Sequence, residues 1–475
     1  MISDSVVLAF RREVAVSPAS DGDAIIEAPW VRLTLRGLPP GFLATLRALA
    51  SEGATEHDLA HLALNDGDPT SLPRLYSYLE CWAQQQLLSY SVVRAGKPLA
   101  MVIPMVPSFR LLAGPIGRDA RFLLSRFTYL RREESVLVLE SPLSVARTTL
   151  FGPTGAALVA TLSEPRSAAE VCGIHAGPGE EIVGSLLRLL ASAGVIVDVD
   201  TDGSVPEDRS LPLRQWQFHD LLFHARSRLG RHDAPFGGTF RFLGEIPPLP
   251  ALKPPQGDLV VPLYRPSLDR LIEDDIPLTR ALEERRSIRE FGTPPMSAQQ
   301  LGEFLYRVAR VREVIPLDPD RSLLYEASRR PYPSGGATYD LEVYVSVDRC
   351  TGLASGLYHY DPLAHQLERI SERTAHVEAL LRDAQRSAGL AELPQVLITL
   401  ASRFQRLSWK YESIAYATTL KNVGVLYQTM YLVATAMELA SCALGGGDAD
   451  RFAAAVGTDY YAETSVGEFL LGSRA

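Results

Sequence analysis

Cysteine is scarce in this chain: four in 475 residues, Cys81, Cys172, Cys350 and Cys442, with no C-x-x-C pair among them. That spacing argues against a zinc site or a disulfide framework and suits a reducing cytoplasm. An excess of basic charge is also lacking. The net charge is -9, which excludes an overall electrostatic footprint for nucleic acid or an anionic membrane. No G-x-G-x-x-G fingerprint is present, so nothing marks a dinucleotide-binding Rossmann unit. The first five residues lack the basic-then-apolar order of a signal peptide. One apolar run, 423–440, comes close to bilayer length, but it carries Gln428, Thr429, Thr435 and Glu438 and has no flanking basic cluster. It reads as a helix buried in protein or at a subunit interface.

What is present is a globular composition, 46% hydrophobic and 22% charged, long enough for about two to four domains. The N-terminal part follows one plan twice. A strand at 30–35 leads to a helix opened by Pro40-Gly41, a second helix from Thr55, a third at 72–86, and strands at 87–93 and 98–104 around the turn 94–97. The second copy has a strand at 136–140, a helix opened by Pro153-Thr154-Gly155, a short helix at 167–171, a longer one at 179–193 and a strand at 195–199. Strand, three helices and a hairpin form a winged-helix outline. The third helices carry only Arg74 and Arg188 as interior basic residues, whereas a DNA reader needs several phosphate-neutralising side chains. The outline therefore points to peptide binding or a structural role. A helix is expected at 216–228. His219, His224 and His232 lie close by, but the first two are five apart and share no helix face. No metal site is expected. The stretch 246–263 holds six prolines and reads as an extended arm. From 276 onward the pattern is α+β. A capping box at Ser297–Gln300 precedes a helix at 301–308. Strands are expected at 341–347, 356–360, 395–401 and 465–471, and a long helix at 417–439. The expected division is 1–118, 119–208 and 209–475.

Three segments of the last part carry chemistry. Arg285-Arg286-Ser287-Ile288-Arg289-Glu290-Phe291 places three guanidinium groups and a hydroxyl within five residues. Arginine gives bidentate, permanently charged contacts to phosphate, although such a run also occurs at solvated helix ends. Arg330-Pro331-Tyr332-Pro333-Ser334-Gly335-Gly336 lets backbone approach a flat ligand closely, or is an ordinary turn. Cys442-Ala443-Leu444-Gly445-Gly446-Gly447 is either a helix C-cap or a loop of backbone donors. Together and in this order, the three segments resemble the nitroreductase-like FMN oxidoreductases. The phrases Gly356-Leu357-Tyr358-His359-Tyr360-Asp361-Pro362 and Thr458–Phe469 (TDYYAETSVGEF) resemble the SagB-type thiazole/oxazole dehydrogenase branch, over about residues 210–475.

This resemblance implies a C-terminal nitroreductase-like FMN domain preceded by two winged-helix modules. It implies that Arg285, Arg286, Ser287 and Arg289 meet the flavin phosphate, with Arg474 past the closing strand as a further ligand. Pro333, Ser334, Gly335 and Gly336 would pack on the isoalloxazine, and Gly445 and Gly446 would lie beside N5. It implies a homodimer with 417–439 in its core, and a substrate that is an azoline-bearing peptide, ribosomal or carrier-bound, oxidised to the azole with oxygen as final acceptor. The flavin takes the hydride, so the protein must supply a base. The family places a Lys-Tyr pair there, and Lys410-Tyr411 match it, with Tyr416 and Lys421 as alternatives nearby. Lysine and tyrosine titrate near about 10, so one must be perturbed. A cation beside a phenol lowers the phenol, and burial lowers the lysine. Consecutive residues face apart on regular elements, so a joint role requires a turn at Lys410. An NAD(P)H-dependent nitro- or ene-reductase, and a peptide-binding scaffold with a degenerate flavin domain, remain as alternatives.

Overall fold

The computed structural model describes residues 5–19, 22–65, 67–68, 70–174, 178–257 and 259–475. Residues 1–4 of the N-terminus and residue 258 of the proline-rich arm lie outside the described residues. The chain divides into two compact units, Met1–Ala234 and Pro235–Ala475. Residues 209–234, grouped above with the last domain, thus pack within the first unit.

In the first unit, proline at the first turn opens the helix Pro40–Ala50, where an amide donor is not needed. The Thr55 hydroxyl accepts from the Asp58 amide at 3.1 Å and starts Glu56–Leu64. Ser71–Gln84 follows, and then the hairpin Leu88–Arg94 and Lys97–Pro104. Its turn residues Ala95 and Gly96 both have positive φ, as a two-residue hairpin of matching twist requires. Val6–Phe10 pairs with both Ala54–Thr55 and Leu88–Arg94. This is a helix-turn-helix module with a wing. Only one strand of the meander Ala15–Pro18, Ala24–Ala28 and Val31–Leu35 was legible beforehand. The second helical set, Gly152–Ala160, Ala168–Ile174 and Glu180–Ser192, is also present. Its last strand Ile196–Val199 pairs back with Arg121–Leu124 rather than forward into a hairpin. Val136–Glu140 and Ala146–Leu150 extend the first module's sheet through Lys97–Pro104. One seven-stranded sheet therefore runs across the 118/119 division.

The two third-helix arginines have different surroundings. Arg188 is buried, and the Arg74 guanidinium lies over the Phe42 and Tyr78 rings. The three histidines go to separate places. His219 is beside Asp220, His224 stacks on Trp216, and the buried His232 shares a hydrogen bond with the Arg228 carbonyl.

The second unit is a seven-stranded antiparallel sheet in the order Val260–Pro262, Gln366–Glu372, Gly356–Asp361, Leu341–Val347, Val396–Arg403, Glu463–Ser473, Leu439–Ala443. Every residue of the two central strands, Leu341–Val347 and Val396–Arg403, is buried, including the polar Glu342, Ser346, Thr399, Ser402 and Arg403. Ala298–Ala309 and Ala415–Ala436 pack in one hydrophobic cluster. Ala375–Ala388 and Ala449–Val456 pack in another. The capping box at Ser297 and Gln300 forms as expected. Among its described residues the arm 246–263 contains no helix, and its single short strand lies at the sheet edge, where proline is tolerated.

The histidine of the G-L-Y-H-Y-D-P phrase is buried between Glu342 and Glu368, each 3.1 Å from one ring nitrogen. Burial alone would push the His359 imidazole down, but the two carboxylates outweigh it and hold its pKa above 6.5. Burial alone would raise Glu342, but the hydrogen bond and charge of His359, with Arg403 and Arg330, hold it down to about 2. The histidine's contribution to stability is full below its unfolded pKa and is lost as pH rises through the raised folded value. The Glu342 contribution is full above 4.5 and is lost as pH falls towards about 2. His359→Leu strands two buried carboxylates. It should cost about 3–5 kcal/mol, with the deficit greatest between those limits. A thermal melt at pH 6 indistinguishable from wild type would refute the pairing.

Candidate active site

Lys410 follows the one-turn helix Gln405–Ser408, and its amide donates to the Leu407 carbonyl at 3.1 Å. Tyr411–Glu412 then runs extended and pairs with Gly237–Gly238. The required turn is therefore present, and it brings the two consecutive side chains to one point. Gly336 adopts φ +64, and a Cβ placed there would lie 2.5 Å from both the Lys410 Nζ and the Tyr411 hydroxyl. Only glycine fits this left-handed and crowded position. A third group joins them that nothing in the sequence marked. The Tyr325 hydroxyl donates to the Gly336 carbonyl at 2.6 Å and accepts from Lys410 Nζ at 2.6 Å. The Lys410 ammonium lies 4.8 Å from the Tyr325 ring, 4.9 Å from that of Tyr411 and 5.8 Å from that of Phe240, within cation–π range. Burial pushes Lys410 down, but the hydroxyls of Tyr325 and Tyr411 outweigh it and lift its pKa above the ordinary value. The lysine is thus held as the ammonium: burial does lower it, but the two hydroxyls outweigh that effect. Tyr416 packs near the Phe404 ring and is about half exposed, and Lys421 is exposed.

The helix Ala415–Ala436 seats the second segment. The Gly335 amide donates to Asn422 Oδ1 at 3.1 Å, and a Cβ on Gly335 would collide with Thr418. Asn422 is itself fixed by the buried Asp340 at 2.7 Å. Ser334 accepts from the Tyr339 amide at 3.1 Å and, with Pro333, leads into the glycine turn.

The same helix organises the first and third segments through Tyr431, another residue the sequence reading did not name. Its hydroxyl bonds Ser287 Oγ at 2.8 Å and accepts from the Ala443 amide at 2.8 Å. The Arg285 guanidinium lies 5.3 Å over its ring. The Ile288 amide donates to the Ser441 carbonyl at 2.8 Å. Arg474 joins this group through backbone pairing with Phe291. The strand Leu439–Ala443 separates the helix from Gly445 and Gly446, so these glycines form an exposed loop and not a helix C-cap. Behind them a Cβ on Gly447 would collide with Glu468, whose carboxyl burial pushes up.

The candidate residues thus fall into two groups. Lys410, Tyr411 and Pro333–Gly336 form one. Arg285–Arg289, Gly445, Gly446 and Arg474 form the other. Asn422 and Tyr431, which anchor them, are nine residues apart. In a regular helix that is about 14 Å along the axis and about half a turn around it. One chain presents the groups on opposite faces of the helix, and that helix exposes a strip of Leu420, Gly424, Val425 and Gln428.

These residues fit FMN. Arg286 and Arg289 are exposed and, among the described residues, have no ion-pair partner; with Ser287 they suit a terminal phosphate. The Gly335–Gly336 turn leaves backbone uncovered where a flat ring would lie. Among the described residues no cluster of histidine, cysteine and carboxylate that could hold a metal was found, and no helix is long and apolar enough to cross a membrane.

Comparison with known proteins gives three matches along the chain. The ThcOx helix-turn-helix domain matches residues 2–112, cyanobactin oxidase ThcOx matches 122–233, and the nitroreductase family matches 282–472. A Methanocaldococcus jannaschii protein described as "Putative nitroreductase MJ1384" is 31% identical over 173 residues, covering 36% of this chain and 80% of the relative. The microcin B17-processing protein McbC of Escherichia coli is 33% identical over 118 residues, covering 23% of this chain and 42% of the relative. A chain of the solved Escherichia coli microcin synthetase McbBCD complex aligns with a TM-score of 0.33 at 19% identity, covering 53% of this chain and 91% of that one. The glycine turn, the exposed arginines, the family matches and the 31% identical relative lead to one assignment: the chain belongs to the nitroreductase family of FMN-dependent oxidoreductases, with the ThcOx-type segments ahead of its flavin domain.

Proposed function

We propose that this enzyme oxidises thiazolines or oxazolines in a peptide to the aromatic azoles. The observation that carries the reading is the convergence of Lys410, Tyr411 and Tyr325 on Gly336. A plain flavin reductase has no need of a proton acceptor at the ring. Azoline oxidation does, because the Cα proton must leave as the β-hydrogen departs with its electron pair. FMN bound here would supply the two-electron acceptor for that hydride, with oxygen as the final oxidant. Lys410 is held as the ammonium, which leaves Tyr411, acting as its phenolate, as the group that takes the proton and becomes the neutral phenol. The ammonium stabilises the negative charge that this role requires. Tyr325 positions the Lys410 side chain. Arg285, Arg286, Ser287, Arg289 and Arg474 bind the phosphate, Pro333–Gly336 the ring, and Gly445 and Gly446 the N5 edge.

Two half-sites on opposite faces of one helix favour a homodimer, in which the exposed strip of that helix meets its copy and each ring is bound between chains. Light scattering of the FMN-loaded protein at the mass of one 52.0 kDa chain would remove this part. The second helical set acts with the first as a pair of winged-helix modules that dock the peptide and not DNA. A gel shift surviving physiological salt would overturn that assignment. The function itself is tested by incubating the FMN-loaded chain with an azoline peptide and oxygen. A product lighter by two hydrogens is expected. Its absence, together with NAD(P)H-driven reduction of nitro compounds that survives loss of the Tyr411 hydroxyl, would favour the reductase reading.

A further inference from the structure

Beside the Lys410 cluster lies a cavity of about 460 Å³ that the mechanism above does not use. One wall is the proline-rich arm, with Ile246, Pro247 and Leu249; Phe242, just ahead of the arm, and Trp409 form others. Trp409 is shared between the cavity and the site. Its ring lies perpendicular to Phe240 at 5.8 Å and edge-on to Tyr325 at 6.3 Å, the same two aromatics that surround the Lys410 ammonium. Its indole N–H donates to the Ile246 carbonyl at 2.6 Å and so ties the arm to the site. The cavity is thus one side chain away from the groups that handle the proton.

The charges at this cavity are already committed. Lys253 Nζ bonds Glu463 at 2.7 Å and the Tyr344 hydroxyl at 2.6 Å, and Tyr344 donates to Glu463 at 2.7 Å. Arg403 is paired with Glu342. A charged guest would have to break one of these buried pairs, whereas an uncharged apolar guest gains from the indole, phenyl and aliphatic walls. The volume is within the range of small-ligand pockets and exceeds what one aromatic side chain fills.

We propose that this cavity is a specificity subsite for an uncharged, bulky apolar side chain of the peptide, a near neighbour of the reacting azoline. The subsite rests on the azoline reading for its location but not for its test. Thiazole-bearing peptides, the product form, are labelled and titrated by fluorescence anisotropy into the full-length FMN-loaded chain. They carry Phe, Gly or Asp in turn at each position flanking the ring. Burying one aromatic side chain is expected to favour the Phe peptide over the Gly peptide by at least about tenfold at one position, with Asp no better than Gly. Leu249→Trp, which narrows the cavity from the arm side, is expected to lower the Phe/Gly ratio at least about threefold. Leu249→Ala, which enlarges the cavity, serves where the tryptophan variant does not retain FMN, and is expected to shift the preference towards a Trp-bearing peptide. Equal binding of Phe and Gly peptides by the wild type at both positions overturns the subsite. So does a preference that the Leu249 variant leaves intact, or tighter binding of Asp. The outcomes also separate the two inferences. Tenfold preference for the Phe peptide with no oxidation of its thiazoline counterpart would sink the azoline reading and keep the subsite. Oxidation without preference would do the reverse.

Discussion

Tyr411→Phe should purify folded and yellow, and oxidise an azoline peptide about 10²–10⁴-fold more slowly than wild type, the usual cost of removing a general base. The substitution keeps the ring and deletes only the hydroxyl that approaches Gly336. Lys410→Ala should lose turnover to a similar degree, because it removes the ammonium held between the Tyr325 and Tyr411 hydroxyls. Tyr325→Phe deletes the acceptor for Lys410 and the donor to the Gly336 carbonyl, and a smaller loss is expected of a positioning residue. None of these residues touches the arginine cluster, so bound FMN, read from the visible spectrum, is an internal control. Near wild-type turnover by both Tyr411→Phe and Lys410→Ala would place the base elsewhere, and Tyr416 would be the next residue to test.

The double variant Arg286→Ala, Arg289→Ala should lose its flavin. Both guanidinium groups are exposed, and removing them breaks no ion pair among the described residues. Each charge-assisted hydrogen bond to phosphate is worth about 1.5–3 kcal/mol. Loss of two corresponds to roughly 10²–10⁴-fold weaker retention. FMN, and not FAD, should be the cofactor that heat releases from the wild-type protein, since no second nucleotide-binding fingerprint accompanies the cluster. A double variant that titrates with FMN as tightly as wild type would withdraw these arginines from the phosphate.

The strand 341–347, the apolar strand 395–401, the capping box at Ser297, the proline-opened helix at 40 and the long helix read at 417–439 were all legible in the sequence, because each is encoded by local periodicity or by caps and turns. The motif order arginine cluster, PSGG, glycine loop pointed to the flavin family, and the Lys410-Tyr411 dipeptide to a proton-transfer site. Other features were decided only in three dimensions. The continuity of one sheet across 118/119 is set by long-range pairing of Ala146–Leu150 with Lys97–Pro104, which no local pattern encodes. Tyr325 and Tyr431 sit in no motif, and their roles arise from bonds to residues 85 and 144 positions away. The sequence left the charge state of Lys410 open, between a phenol lowered by the cation and a lysine lowered by burial. That state is set by two hydroxyls that the fold brings to the ammonium, because a group's protonation follows its neighbours in space and only incidentally those along the chain.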